Sequence, residues 1–139
     1  NITLWVLSDQ VNNQGVKFDL TGDFILGNNS YVLGNGKGYA SALGPGKGED
    51  GVLQNGGGGG ANGGNGGNGE SSDGLTQTLG GEKYGDQFFP FTLGSGGGKG
   101  GIELEGATPA PGGTGGGAFS VPARRACLIS ISCQTLPRT

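Results

Sequence analysis

The sequence predicts a single all-β domain with almost no α-helix, in which short strands are interrupted by a long glycine-rich excursion. Glycine accounts for 36 of the 139 residues, and each glycine in a helix interior costs about 1 kcal/mol relative to alanine. Hydrophobic residues make up 32% and charged residues 14%, which is too little for a large core of branched side chains. Runs of β-branched and aromatic residues, typical of strands, occur in the first and last parts of the sequence. Backbone hydrogen bonds must therefore supply more of the order than usual.

The region 2–33 contains four runs of β-branched and aromatic residues, separated by turn signals of Asn, Asp and Gly. These runs are Ile2–Leu7, Val16–Leu20, Phe24–Leu26 and Tyr31–Leu33. We interpret them as short strands that stack at intervals of one coil. The rest of the single elongated domain divides into a glycine-rich excursion, 34–118, and a returning strand with a tail, 119–139.

The most informative stretch of the excursion is Gly56–Gly69. Asn62, Asn65 and Asn68 recur there every three residues, which is the period of the extended polyproline-II helix with its rise of ~3.1 Å per residue. The spacing predicts a polyglycine-II segment with one triplet face of asparagine amides, while its other two faces carry only backbone.

Glycine on those two faces allows neighbouring extended strands to approach until their main-chain groups form hydrogen bonds, with added Cα–H···O contacts. Gly94–Gly101 and Gly112–Gly117 are the candidate partners of this segment. The alternative is that the glycine-rich region is a flexible linker.

The returning strand carries both cysteines of the chain. Cys127, Ile129, Ile131 and Cys133 alternate with Leu128, Ser130 and Ser132, so the four form one strand face. In a straight strand the two cysteines lie roughly 20 Å apart, whereas a disulfide needs Cα atoms within about 7 Å. They cannot pair with each other without a turn. They are therefore either buried small apolar residues or, in an extracellular assembly, partners in an intermolecular disulfide.

The composition argues against an enzyme and against metal or cofactor binding. Histidine, the commonest general base and metal ligand, is absent. Lys37, Lys47 and Lys99 follow glycine but precede another glycine, so the Ser or Thr of a phosphate-binding loop is missing. Solvated strand faces explain the remaining carboxylates better than a glycosidase pair does. The carboxylates considered are Asp19, Asp23, Glu103 and Glu105.

The charge and hydropathy of the chain also restrict its partners. The net charge of −3 provides no basic surface for nucleic acid or anionic lipid. No apolar run approaches the ~20 residues of a membrane span. Two N-glycosylation triplets, Asn1-Ile2-Thr3 and Asn28-Asn29-Ser30, make Asn1 and Asn28 candidate sites of a glycoprotein, and Asn28 falls in a predicted turn.

Six motifs of the middle region follow one another in a recognisable order. They are Asn35–Tyr39, Leu43–Gly48, Gly56–Gly69, Gly80–Asp86, Pro90–Gly98 and Gly115–Val121. In this order they resemble the glycine-rich parallel β-helix segments of large secreted adhesin-like proteins of bacteria and protists, over about residues 30–121. The sequence departs from that pattern at Ile102–Pro111, a charged strand with a proline turn, and at Pro122–Cys127.

The resemblance implies a right-handed parallel β-helix whose coils are interrupted by the excursion, in a secreted or surface protein with a structural or adhesive role. A β-sandwich-like stack is the alternative fold. A short β-helix leaves unpaired strand edges at both ends, and such edges pair with another chain unless they are capped. We therefore expect a self-assembling filament or fibril subunit, located outside the cell or on its surface, whose partners are copies of itself.

The candidate assembly contacts lie on the terminal strands, which we expect other chains to bury. They are Ile2, Leu4, Trp5, Leu7, Cys127, Ile129, Ile131 and Cys133. The alternative function is an adhesin-type module that binds carbohydrate, or less favourably ice, through its polyglycine face. Glycans would be the partners in that case.

Overall fold

A computed structural model describes residues 2–71, 74, 76–86, 88, 91–102, 107–122 and the backbone of 125–128. These residues form no helix and only short strands, which confirms the expectation of a non-helical chain. The strands are β1 (Ile2–Trp5), β2 (Val16–Lys17), β3 (Asp23–Leu26), β4 (Ser30–Leu33), β5 (Gly69–Glu70), β6 (Gln77–Thr78), β7 (Phe119–Ser120) and β8 (Arg125–Leu128).

Six of these strands form three separate parallel pairs, β1 with β4, β2 with β7 and β3 with β8. Strands β1, β2 and β3 come first along the chain, and their partners β4, β7 and β8 follow in the same order. Residues 34–118 lie between β4 and β7, at the place that residues 6–15 occupy between β1 and β2.

The partners of β2 and β3 correct the expectation that the four N-terminal strands stack on one another. Only β1 and β4 pair within region 2–33, whereas β2 and β3 pair with strands that follow the excursion. The physical reason is that a parallel pair requires a crossover of about a dozen residues or more. The short turn between β3 and β4 is too short for one.

Few apolar side chains are buried around these pairs. The Phe119 ring lies 5.7 Å from that of Phe18 and 6.1 Å from that of Phe24, so it joins the β2·β7 pair to β3. Among the described residues the buried hydrophobic side chains are Val6, Ala61, Leu93 and Ala118. The small apolar core agrees with the low hydrophobic content of the sequence.

The excursion folds into what we call the glycine bundle, six glycine-rich segments linked by backbone hydrogen bonds. These segments are 38–51, 55–62, 64–70, 77–85, 93–101 and 110–117. Segments 64–70 and 77–85 include the antiparallel pair of β5 and β6. No sequence pattern predicts this pair, because two residues, as in Gly69–Glu70 and Gln77–Thr78, are too few to show the alternation of a strand.

The 93–101 segment lies at the centre of hydrogen bonding in the bundle, because every N–H group from Leu93 to Gly101 donates a hydrogen bond. Gly94, Gly97 and Gly100 donate to segment 110–117, to the carbonyls of residues 116, 113 and 110. Ser95, Gly98 and Gly101 donate to segment 55–62, to the carbonyls of residues 61, 58 and 55. Partners therefore change with a period of three residues, which is the repeat of the polyproline-II helix.

One of the two partner blocks predicted from the sequence pairs differently from the expectation. Gly94–Gly101 does bond to segment 55–62, as predicted, but Gly112–Gly117 bonds to segment 93–101 and to residues 34–39. The segments are bonded to one another along their length, as those of a flexible linker would not be.

Close backbone approach explains why so many bundle positions are glycine. A Cβ added at Gly98 would lie 1.9 Å from the Glu49 carbonyl oxygen, and one added at Gly115 would lie 1.8 Å from that of Gly94. Only a hydrogen fits in this space, and its position is that of a Cα–H···O contact.

Candidate assembly surface

Each of the three parallel pairs has an open edge on both of its strands among the described residues, since each sheet has two strands. For β1, the peptide groups that face the open edge can be identified. Val6 N–H donates to Leu33 O at 2.9 Å, and alternate residues of a strand direct their peptide groups to opposite edges. The peptide groups of Thr3 and Trp5 therefore face the open edge of β1.

The four N-terminal contact residues that the sequence predicts are exposed in the single chain. Fractional exposure is 73% for Ile2, 38% for Leu4, 54% for Trp5 and 71% for Leu7. Val6, between them, is buried at 2%. The Lys37 ammonium lies 5.5 Å from the Trp5 ring centroid, within cation–π range. An unpaired strand edge and exposed apolar side chains thus coincide at β1.

The C-terminal contact residues are described only in part. The backbone of Cys127 lies in β8, in register with Ile25 of β3, and Arg125 is in register with Asp23. Ile129, Ile131 and Cys133 lie outside the described residues, so the state of the cysteines stays a prediction.

The three asparagines of the repeat bond to two different parts of the same chain. Asn68 Oδ1 accepts from Gly80 N–H at 2.9 Å, and Asn65 Oδ1 accepts from Lys83 N–H at 3.0 Å. Asn62 Nδ2 donates to the Thr92 carbonyl at 2.8 Å. The prediction of one extended segment over Gly56–Gly69 is wrong, because the chain reverses at 62–64, where Asn62 N–H donates to Gly64 O at 3.2 Å, and Gly59 N–H donates to Gly67 O at 2.7 Å across the reversal. Only Asn65 and Asn68 therefore share a bonded face, toward residues 83 and 80.

A buried polar cluster connects three bundle segments, and sequence reasoning missed it. Ser95, which is 6% exposed, accepts from Gly46 N–H at 2.9 Å and donates to the Tyr84 hydroxyl at 3.0 Å. The Tyr84 hydroxyl donates to the Leu93 carbonyl, and burial raises the pKa of this phenol. The signal in the sequence was Ser95 itself, the sole non-glycine residue from Gly94 to Gly98.

The candidate glycosylation residue Asn28 is exposed at a turn between β3 and β4. Ser30 N–H donates to Gly27 O at 3.2 Å, and Asn29 has a φ of 57°. Asn1 lies outside the described residues. The turn therefore leaves space around Asn28 for a glycan.

Of the four carboxylates considered from the sequence, two lie among the residues that the structure describes. Asp19 forms an ion pair with Lys17 at 2.9 Å, and Asp23 lies in β3, whereas Glu103 and Glu105 are outside the described residues. Across the described ranges, no three acidic or cysteine side chains group as metal ligands do. Those ranges also hold no helix long and apolar enough to cross a membrane.

Comparisons with protein-family models, with curated proteins and with solved structures find no match to this chain. The resemblance stated from the order of the motifs therefore stays a prediction, and function must be inferred from the chain itself.

Proposed function

We propose that this chain is a structural, non-enzymatic module of an extracellular fibre or surface appendage, and that copies of it assemble through their terminal strands. The observation that carries the proposal is the open edge of β1, whose outward peptide groups at Thr3 and Trp5 lie among exposed apolar side chains. Such an edge is a template for pairing with another strand. Burial of these side chains by a neighbouring copy would add to the stability of a chain with few buried apolar residues.

The proposed architecture is two coils of a right-handed parallel β-helix. In this interpretation β1, β2 and β3 form the first coil, β4, β7 and β8 form the second, and the glycine bundle is an insertion into the second coil. The common order of the pairs supports it. Parallel crossovers are right-handed in about 98% of cases, which supports the handedness. The motif resemblance favours the same arrangement.

End-to-end stacking of such coils would repeat contacts that the chain already makes. The β4 edge of one copy would meet the β1 edge of the next in the register of Leu4 with Val32. The register of Asp23 with Arg125 would place opposite charges on adjacent strands of the two copies, a favourable cross-strand pair. A head-to-tail contact of this kind does not close, so it produces a filament.

The test is Thr3→Pro compared with Thr3→Val. Proline removes an N–H that faces the open edge and leaves the bonds from β1 to β4 intact, whereas valine keeps the N–H and favours a strand. We expect the wild type and Thr3→Val to form filaments in negative-stain images, and Thr3→Pro to stay dispersed with an unchanged circular dichroism spectrum. Filaments of normal length from Thr3→Pro would contradict assembly through this edge.

A carbohydrate-binding surface is the second candidate, and one observation favours it. Thr3 is in register with Tyr31, so Trp5 and Tyr31 lie on the same face of the β1·β4 pair, and both are exposed. Exposed aromatic rings offer apolar faces to a sugar ring. Binding of oligosaccharides that quenches the fluorescence of Trp5 in a dispersed, monomeric protein would favour this function over the fibre.

A further inference from the structure

We propose that Asn35 is a site of spontaneous deamidation, at which the folded chain acquires an aspartate or isoaspartate without an enzyme. This modification site goes beyond the proposed function and does not depend on it. Asparagine followed by glycine occurs five times in the sequence, at Asn35, Asn55, Asn62, Asn65 and Asn68. The local sequence gives all five the same reactive pair, so the selection of Asn35 rests on the fold.

The reaction joins the asparagine side chain to the main-chain nitrogen of the next residue. This nitrogen loses its proton to base in the solvent and bonds to the side-chain carbon Cγ, while the Cγ–Nδ2 bond breaks and the amide nitrogen leaves as ammonia. Water then opens the succinimide ring at either carbonyl, which gives aspartate or isoaspartate. Nothing is oxidised or reduced, and water is the co-reactant. Glycine favours the first step, because it has no side chain beside the attacking nitrogen and allows the backbone to rotate freely.

Attack requires the nitrogen and Cγ to approach within about 3–3.5 Å, so hydrogen bonds that hold either group oppose it. At Asn55 and Asn65 the attacking nitrogen itself is held. Gly56 N–H donates to the Glu70 carbonyl at 3.0 Å, and Gly66 N–H donates to that of Gly81 at 2.9 Å. Asn55 is also only 9% exposed. Both sites must therefore open locally before they react.

At Asn62 and Asn68 the side-chain amide is held at both of its polar atoms. Asn62 Nδ2 donates to the Thr92 carbonyl at 2.8 Å, and its Oδ1 accepts from the Thr92 hydroxyl at 3.2 Å. Asn68 Oδ1 accepts from Gly80 N–H at 2.9 Å, and its Nδ2 donates to Gln77 Oε1 at 3.1 Å. Neither Cγ can turn towards the following nitrogen until these bonds break.

Asn35 is free of such restraints. Asn35 and Gly36 are the exposed central residues of a turn that the hydrogen bond from Lys37 N–H to Gly34 O closes at 3.1 Å. Within the part of the chain that the structure describes, the Asn35 side chain and Gly36 N–H form no hydrogen bond. Rotation of Asn35 into the reactive geometry therefore opposes only the turn bond, at a position open to water and base.

The modification exchanges a neutral amide for a carboxylate where the chain passes from β4 into the glycine bundle. Position 35 lies two residues beyond Leu33, which is in register with Trp5. Lys37 lies in the same turn, and its ammonium is 5.5 Å from the Trp5 ring centroid. Deamidation thus adds a negative charge near the end of the β1·β4 pair.

The experiment measures deamidation of the wild-type protein over time at mildly alkaline pH, below its melting transition. Trypsin separates Asn35, in peptide 18–37, from the other four sites, in peptide 48–83, and tandem mass spectrometry assigns each product. We expect the rate at Asn35 to be about tenfold or more above that at any other site, because each of those must first lose hydrogen bonds. In urea the five rates should become comparable, since only the local sequence then acts.

Asn35→Gln is the control, because its longer side chain would have to close a less favourable six-membered ring. Its exposed position allows the change without repacking. We expect this variant to lose most of the isoaspartate in peptide 18–37 and to keep the wild-type rates in peptide 48–83. Equal rates at all five sites of the folded protein, a faster rate at any of the other four, or undiminished isoaspartate in Asn35→Gln would overturn the proposal.

Discussion

The strand pairs and the glycine bundle obtain their order from different groups. In the strand pairs, apolar side chains and parallel ladders act together, yet Ile2, Trp5 and Leu7 stay exposed. In the bundle, backbone groups act almost alone, and the N–H groups of segment 93–101 are all bonded. The central segment of a region poor in side chains can thus have all its N–H groups bonded, while the region rich in side chains leaves several of them exposed, because glycine allows backbones to approach one another closely enough to bond.

The two regions meet through the loop of residues 9–14. Asn13 Oδ1 accepts from Leu93 N–H at 3.3 Å, and Gln10 Nε2 donates to Gly38 O at 2.9 Å. The Tyr39 hydroxyl donates to the Gln10 carbonyl at 3.0 Å. Side-chain groups of one region therefore satisfy backbone groups of the other, and substitutions at this junction test how far the regions depend on each other.

The largest loss of folding stability is expected for Leu93→Ala at the junction. Leu93 is 0% exposed, and a Leu→Ala change in a core costs about 2–5 kcal/mol. We expect a single, lower melting transition for both regions, measured by calorimetry. Leu79, which is 55% exposed, is the control, and Leu79→Ala should shift the transition little. Two separate transitions in Leu93→Ala would indicate that the regions unfold independently.

A smaller loss is expected for Gly66→Ala within the bundle. A Cβ at Gly66 would lie 2.0 Å from the Gly59 carbonyl oxygen, while one at Gly67 would meet nothing within 4 Å. Forced overpacking costs about 1–3 kcal/mol, so urea denaturation should show this loss for Gly66→Ala. Gly67→Ala should be neutral or stabilising by about 0.4–1 kcal/mol. If the two variants unfold at the same urea concentration, the close packing of segments 55–62 and 64–70 is wrong.

Tyr84→Phe removes one side-chain hydroxyl from the bundle, so it measures how much such a group adds to the stability that the backbone supplies. The loss of its hydrogen bond to the Leu93 carbonyl should cost about 1 kcal/mol. The pKa of Tyr84 is raised by burial, so its titration contributes stability that is complete below the unfolded pKa of about 10. This stability is lost as pH rises through the folded pKa. Thermal melts from pH 8 upwards should show a steeper decline for the wild type than for Tyr84→Phe.

The smallest effect is expected at Asp9 in the junction loop. Asn12 Nδ2 donates to the Asp9 carboxylate at 2.7 Å, and this bond, with those from the Asn12 and Val11 backbones, lowers the pKa of Asp9. The resulting stability is present above the unfolded pKa and is lost as pH falls through the folded one. Asp9→Asn should reduce the acid sensitivity of the Gly38 and Leu93 amide exchange rates slightly, and an identical acid response in both proteins would argue against a role for this carboxylate.

Sequence reasoning found the elements more readily than their partners. The runs at Ile2–Leu7 and Tyr31–Leu33 contain β1 and most of β4, because β-branched and aromatic residues next to turn signals are local information. The run Val16–Leu20 contains β2, but its partner β7 lies about a hundred residues further along the chain. No local pattern encodes such a pairing. The same holds for Ser95, whose two partners come from other segments of the bundle.

The sequence by itself determined that glycine excludes helices, because glycine has high conformational freedom and no side chain that favours a helix. The three-residue alternation of partners along 93–101 appears only in the tertiary structure. The tertiary structure alone decided which segments are neighbours. Identical glycine faces can pair in many combinations, and the choice falls to the few residues with side chains, such as Asn65, Asn68 and Ser95, whose hydrogen bonds fix one arrangement. Those bonds join residues far apart along the chain, so they exist only once the backbone has brought the segments together.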